Sequence, residues 1–167
     1  MLAAASYAVW HRPASAPSVV LPQRLVVLPF VNQSPEPENE FFSDGLTEEL
    51  TNVLARVDGL QVVARTSASQ FKGKNYDART IGQMLKVGAL LEGSVRKSGS
   101  TLRVIAYLVN AADGYQLWSQ EYERRLTDVF ALQEEIAQAI AVALKVTQTG
   151  KSVQGETVKN TMLYEKQ

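Results

Sequence analysis

Residues 89–125 carry the most regular alternation of apolar and polar positions in the chain, and they predict three consecutive β-strands. In residues 89–96, Ala89, Leu91, Gly93 and Val95 share one face while Glu92, Ser94 and Arg96 share the other, the period of two expected when one sheet face is buried. The partner strand is residues 101–110. Between them Lys97-Ser98-Gly99-Ser100 supplies small polar residues with Gly99 free to take positive φ, and Asp113-Gly114 suits the primed turns that match strand twist. A third strand over residues 115–125 sets Tyr115, Leu117 and Ser119 on one face and Gln116, Trp118, Gln120 and Tyr122 on the other.

Upstream the period changes. Residues 24–30 form a continuous branched apolar run, typical of a central strand covered on both faces, with Pro29 marking its end. Phe42, Leu46, Leu50, Val53, Leu54 and Val57 then recur at helical spacing, and Gly59 stops that helix. Gly45 inside it costs about 1 kcal/mol relative to alanine, so we expect close helix-to-sheet packing there. Residues 60–64 make a second short strand, parallel to the first through a right-handed crossover. A polar stretch over residues 65–75 surrounds Phe71, and residues 77–86 form a short helix with Ile81, Met84 and Leu85 inside and Asp77 as its cap. After the three-strand run, Thr127 or Asp128 caps a helix whose inner face is Val129, Leu132, Ile136, Ile140, Ala143 and Leu144, ending near Lys145. The order β-α-β-α-β-β-β-α predicts an α/β fold of mixed α+β type: a five-stranded mixed sheet with helices packed on it.

A length of 167 residues suits one domain with tails. We place an N-terminal tail and linker at residues 1–23, the domain at 24–146, and a second linker with the start of another helix at 147–167. Residues 1–10 are almost wholly apolar but about half the length a bilayer span needs. They are either a surface-docked terminus or the end of a truncated transmembrane helix, which Tyr7, Trp10, His11 and Arg12 would border at the water interface. Seventeen basic and seventeen acidic side chains cancel, so no overall field draws phosphate backbones and nucleic acid is not an expected partner.

Reactive groups are sparse. The absence of cysteine removes thiol catalysis and thiolate metal sites, and the single histidine, His11, lies in a proline-containing segment. Gly150-Lys151-Ser152 matches the end of a phosphate loop, but Lys145 stands where its first glycine belongs. Ser94 lacks the flanking glycines and imidazole of a hydrolase nucleophile. Glu48/Glu49 and Glu134/Glu135 read as solvated helix faces. No catalytic, cofactor-binding or metal-ligating residue is assigned. The densest basic and aromatic cluster, Arg65, Phe71, Lys72 and Lys74, with Tyr76 and Arg79 nearby, is the candidate partner-binding site.

Six motifs follow one another along the chain: Val27-Leu28-Pro29-Phe30; Phe42-Ser43-Asp44-Gly45-Leu46-Thr47-Glu48-Glu49-Leu50; Val63-Ala64-Arg65-Thr66-Ser67 with Phe71-Lys72-Gly73; Leu91-Glu92-Gly93-Ser94-Val95-Arg96; Asp113-Gly114-Tyr115-Gln116-Leu117-Trp118; and Asp128-Val129-Phe130-Ala131-Leu132-Gln133. Over about residues 24–145 this succession closely resembles the TolB-like amino-terminal domain family. The resemblance implies a bacterial signalling protein in which such a domain follows a transmembrane helix and precedes tetratricopeptide repeats. It offers no catalytic residues to carry over. The expected function is a non-enzymatic, extracytoplasmic interaction or sensory module of a larger membrane-anchored protein, on the periplasmic face of the inner membrane, with the cytoplasm as the alternative. Expected partners are proteins bound through a sheet edge and the adjacent repeats, without cofactor. The alternative is a fragment of an adenylate cyclase or winged-helix regulator whose active domain lies elsewhere.

Overall fold

The computed structural model describes residues 23–148. Its sheet contains β1 (Arg24–Val27), β2 (Val31–Asn32), β3 (Gln61–Val62), β4 (Ala89–Ser98), β5 (Thr101–Asn110) and β6 (Gln116–Arg125). The helices are α1 (Glu40–Ala55), α2 (Arg65–Ala68), α3 (Ala78–Leu85) and α4 (Val129–Gln148). The sheet order is β3-β1-β4-β5-β6, with β2 also paired to β4. Pairings among β1, β2, β3 and β4 are parallel, whereas β4–β5 and β5–β6 are antiparallel. This is the expected mixed sheet with helices on it.

There are six strands rather than five, because the first strand resumes after Pro29. Val27 pairs with Leu91 and Val31 with Ser94, so residues 28–30 lie opposite only Glu92 and Gly93: a bulge. Proline brings no N–H to the ladder. The Phe30 N–H turns away from it to the buried Thr47 Oγ1 of α1, at 3.0 Å.

Two apolar clusters sit on opposite faces. On one, Leu25, Val27, Leu91, Val104 and Leu108 meet Leu50 and Leu54 of α1 and Leu132, Ile136 and Ile140 of α4. On the other, Val26, Leu28, Leu90 and Val109 meet Ala68, Phe71 and Ile81. That second layer covers only β1 and the adjoining ends of β4 and β5. Toward β6 the same face is uncovered. The one-buried-face reading of residues 89–96 therefore fails over its first three residues, Ala89, Leu90 and Leu91, which are all buried; beyond them the second face opens only gradually, with Glu92 half-buried, Ser94 buried and Arg96 exposed.

Three further expectations change, the first being Met84, expected on the inner side of α3 but 53% exposed. Residues 65–75 are not a plain loop: α2 and a 3-10 turn at Ser69–Phe71 place Ala68 and Phe71 three apart, both in the second core. Gly45 is exposed, with nothing within 4 Å of a Cβ built on it, so close packing does not explain it. Gly45→Ala therefore removes backbone freedom from the unfolded chain at no steric cost, and should raise stability by about 0.5–1 kcal/mol in a urea titration.

The Gly99 turn agrees with the structure, a two-residue hairpin between Ser98 and Thr101, whereas Asp113-Gly114 sits in a five-residue loop between β5 and β6 in which only Gly114 of the pair has positive φ, so it is not a primed turn. Gly99 and Gly114 have φ of 57° and 75°, and Asp77 Oδ1 accepts from the Thr80 N–H at 2.7 Å to cap α3. The last helix runs past Lys145 to Gln148. The expectations for residues 1–22 and 149–167 lie outside the described residues.

Candidate functional site

The uncovered half-face is built from rows that run across three strands. The register sets Glu92 beside Tyr107 and Ser119, Ser94 beside Ile105 and Glu121, and Arg96 beside Arg103 and Glu123. Arg103 spans two rows, reaching Glu121 at 3.1 Å and Glu123 at 3.2 Å. These pairs are about half exposed, so each adds little to stability, roughly 0–1 kcal/mol.

β6 is the outer strand, and no other described element pairs with its far side. Leu126 N–H donates to Ser100 O at 3.0 Å, which fixes the phase of the antiparallel ladder. Residues 118, 120, 122 and 124 turn their backbone groups to β5, and Ser119, Glu121, Glu123 and Arg125 turn theirs outward. An edge of this length is a template for an added strand.

At the other border of the half-face, the Pro29 bulge opens a groove of about 700 Å³ between β4 and the segment that leads into α3. Its lining includes Pro29, Val31, Lys74, Tyr76, Glu92 and Tyr107. Phe71 and Tyr76 form an edge-on aromatic pair in its wall, 5.8 Å between centroids. Glu92 is half-buried, and this burial pushes its carboxyl above the usual carboxylate range.

The carboxyl of Glu92 binds its proton more tightly in the folded chain than in the unfolded one. Stability contributed at this site therefore falls as pH rises from the ordinary value of 4.5 through the raised one, and the loss persists above it. Glu92→Gln should abolish that fall. Its urea midpoint should exceed the wild type's near neutrality, while the two should converge at about pH 3, where both side chains are uncharged.

The predicted cluster divides. Arg65 pairs with Glu48 at 3.0 Å, and Lys72 with Glu40 at 2.8 Å and Asp44 at 2.6 Å, so both basic groups are tied to α1. Hydrogen bonds that Lys72 donates to Asp44 and then to Glu40 hold its amine above its ordinary range. Arg65 and Lys72 border a separate cavity of about 110 Å³ beside Thr47 and Thr51. Phe71 is 5% exposed and belongs to the second core, with its ring also reaching the groove. Lys74 stands at the groove's rim. Nearby, Arg79 donates to the Asp113 carbonyl at 3.3 Å. Glu92 and Tyr107 were not singled out from sequence as site residues; a carboxylate inside an apolar strand run and a proline inside its neighbour were the available signals. Trp118 and Tyr122, expected on one face of the third strand, face the main core, Tyr122 buried and Trp118 partly so.

Among the described residues no group of three or more His, Asp or Glu side chains is placed to hold a metal ion. No described helix is long and apolar enough to cross a membrane.

No family model matches the chain. It is 41% identical over 138 residues to Putative adenylate cyclase 3 of Rhizobium meliloti (strain 1021), a match that takes in 81% of this chain and 24% of that protein. The chain thus spans about a quarter of that relative's length. Among solved structures, lipoprotein GNA1162 from Neisseria meningitidis is similar with a TM-score of 0.56 and 20% identity, over 72% of this chain and 97% of that one. The LpoB C-terminal domain from Salmonella enterica has a TM-score of 0.50 and 21% identity, over 66% and 87% of the two chains. TolB from Acinetobacter baumannii has a TM-score of 0.51 and 12% identity, over 76% of this chain and 28% of its own. These likenesses are of fold, and the architecture described above is shared with LpoB and with part of TolB.

Proposed function

We propose that this chain is a non-enzymatic interaction module of a larger bacterial envelope protein, and that it binds a protein partner along the outer edge of β6. The observation that carries this reading is the ten-residue strand whose outward backbone groups have no partner strand in the described fold. Main-chain hydrogen bonds supply affinity in strand addition, and the side chains of the neighbouring half-face supply selectivity. A fold neighbour named as a lipoprotein supports the envelope placement, on the periplasmic side of the inner membrane. The match to 24% of a longer protein supports a module within a longer polypeptide; a membrane helix before it and tetratricopeptide repeats after it are what the resemblance to the TolB-like amino-terminal domain family implies.

The name of the Rhizobium relative favours a second reading, in which the module belongs to a cyclase whose active domain lies outside residues 23–148. In both readings this chain itself does no chemistry. Incubated with ATP and Mg²⁺, it should form no cyclic AMP; sustained turnover would end the proposal. Glu121→Pro removes an outward N–H without touching the backbone bonds to β5, and gives up only the exposed ion pair with Arg103. It should stay folded by circular dichroism and lose the envelope proteins that the immobilised wild type retains. Ser119→Pro is the second edge variant should the first not fold. Equal retention by the folded edge variant would overturn the β6 assignment.

A further inference from the structure

The groove at the Pro29 bulge has chemistry that strand addition at β6 does not use. Glu92 lies on its floor, half-buried, with no ion pair or hydrogen bond from any described side chain. A carboxylate taken from water without a partner is costly, and a cation at the same place removes that cost. Tyr107 lies directly across the strand from Glu92, and Tyr76 stands in the opposite wall. Aromatic faces beside a carboxylate favour an ammonium or guanidinium group over a neutral one.

The groove's own charges leave room for such a cation. Asp77 is engaged as the cap of α3, where hydrogen bonds from Thr80 hold its carboxyl below the usual range. Lys74 is exposed at the rim and makes no ion pair with Glu92. The shape argues for a polypeptide rather than a small free amine. A volume of about 700 Å³ exceeds what one side chain fills, Val31 is 60% exposed along the wall, and the floor continues through Ser94 onto the open half-face.

We propose that this groove receives the basic side chain, arginine or lysine, of an extended polypeptide segment, with Glu92 as its counter-ion and Tyr76 and Tyr107 flanking it. The site is distinct from the β6 edge, and the inference does not depend on that assignment.

The test uses the full chain labelled with nitrogen-15 and titrated with the blocked peptide Ala-Ala-Arg-Ala-Ala. Amide signals of Glu92, Gly93, Ser94 and Tyr107 should shift and saturate. The norleucine and glutamate versions should bind at least about tenfold more weakly, and Glu92→Gln, still folded, should weaken the arginine peptide by about tenfold. Lys74→Met, which removes a competing positive charge, should bind the arginine peptide at least as tightly as the wild type. Three results would overturn the proposal: no saturable shift, an equal response to norleucine, or unchanged binding in Glu92→Gln. Agmatine binding as tightly as the peptide would overturn the polypeptide part, because the groove would then serve a free cation.

Discussion

Gly93→Ala should lower the stability of this domain by about 3 kcal/mol, which lies at the upper end of overpacking costs in a core. A Cβ at this position runs into the Phe30 ring and the Ile105 carbonyl oxygen, closer than real Cβ atoms come to their neighbours. Neither obstacle gives way easily. Phe30 is 1% exposed, and its N–H is anchored on Thr47 of α1. Ile105 is the direct neighbour of Ser94 in the β4–β5 ladder, so moving its carbonyl means separating two ten-residue paired strands. Strain of this kind spreads through a close-packed interior rather than being absorbed locally. The thermal midpoint, followed by circular dichroism, should drop by on the order of 10 °C. Gly45→Ala, on an exposed helix face, should move the other way. A Gly93→Ala midpoint within a few degrees of wild type would mean that Phe30 does not pack over Gly93.

The contrast between these two glycines shows what the sequence can and cannot reveal. Gly99 and Asp77 act through their nearest neighbours, and their turn and capping roles are legible from local context alone. Gly45 and Gly93 are each flanked by a plausible pattern, but what surrounds them is decided by segments far away in the chain. The same distinction explains the strand count. β2 is two residues long, too short to show any alternation; it exists because β4 lies beside it and Thr47 takes up the N–H that the bulge frees. Its neighbour in difficulty is the site. Arg65 and Lys72 look like available cations in sequence, yet their carboxylates arrive from α1, and the bond from Lys72 to Asp44 joins residues 28 apart. Glu92 reads as one more polar residue on an outward strand face. Its isolation comes from the bulge on one side and the segment before α3 on the other, neither of which its own neighbours encode.

Leu90→Ala should cost about 2–5 kcal/mol, the range of deletions that leave a cavity in a packed core. Leu90 and Leu91 are both wholly buried although they point to opposite faces of β4, so the sheet is enclosed on both sides there. The two deletions should differ in where the damage goes. Leu91 faces α1 and α4, which bury the largest apolar cluster, and Leu91→Ala should speed hydrogen exchange throughout the fold. Leu90 instead meets the smaller layer with Phe71, Ile81 and Val87, to which Val26, Leu28 and Val109 are the sheet's other contributors. Leu90→Ala should therefore raise exchange first in α3 and the turn around Phe71, with α4 less affected, as expected for a unit that opens on its own. The groove shares Phe71 and Ile81 with this layer, so its wall loosens with it. A loss below about 1 kcal/mol in Leu90→Ala would fall outside the range for a core leucine and would show that α3 only rests against the sheet. In that case the groove would have one fixed wall, formed by β4, instead of two.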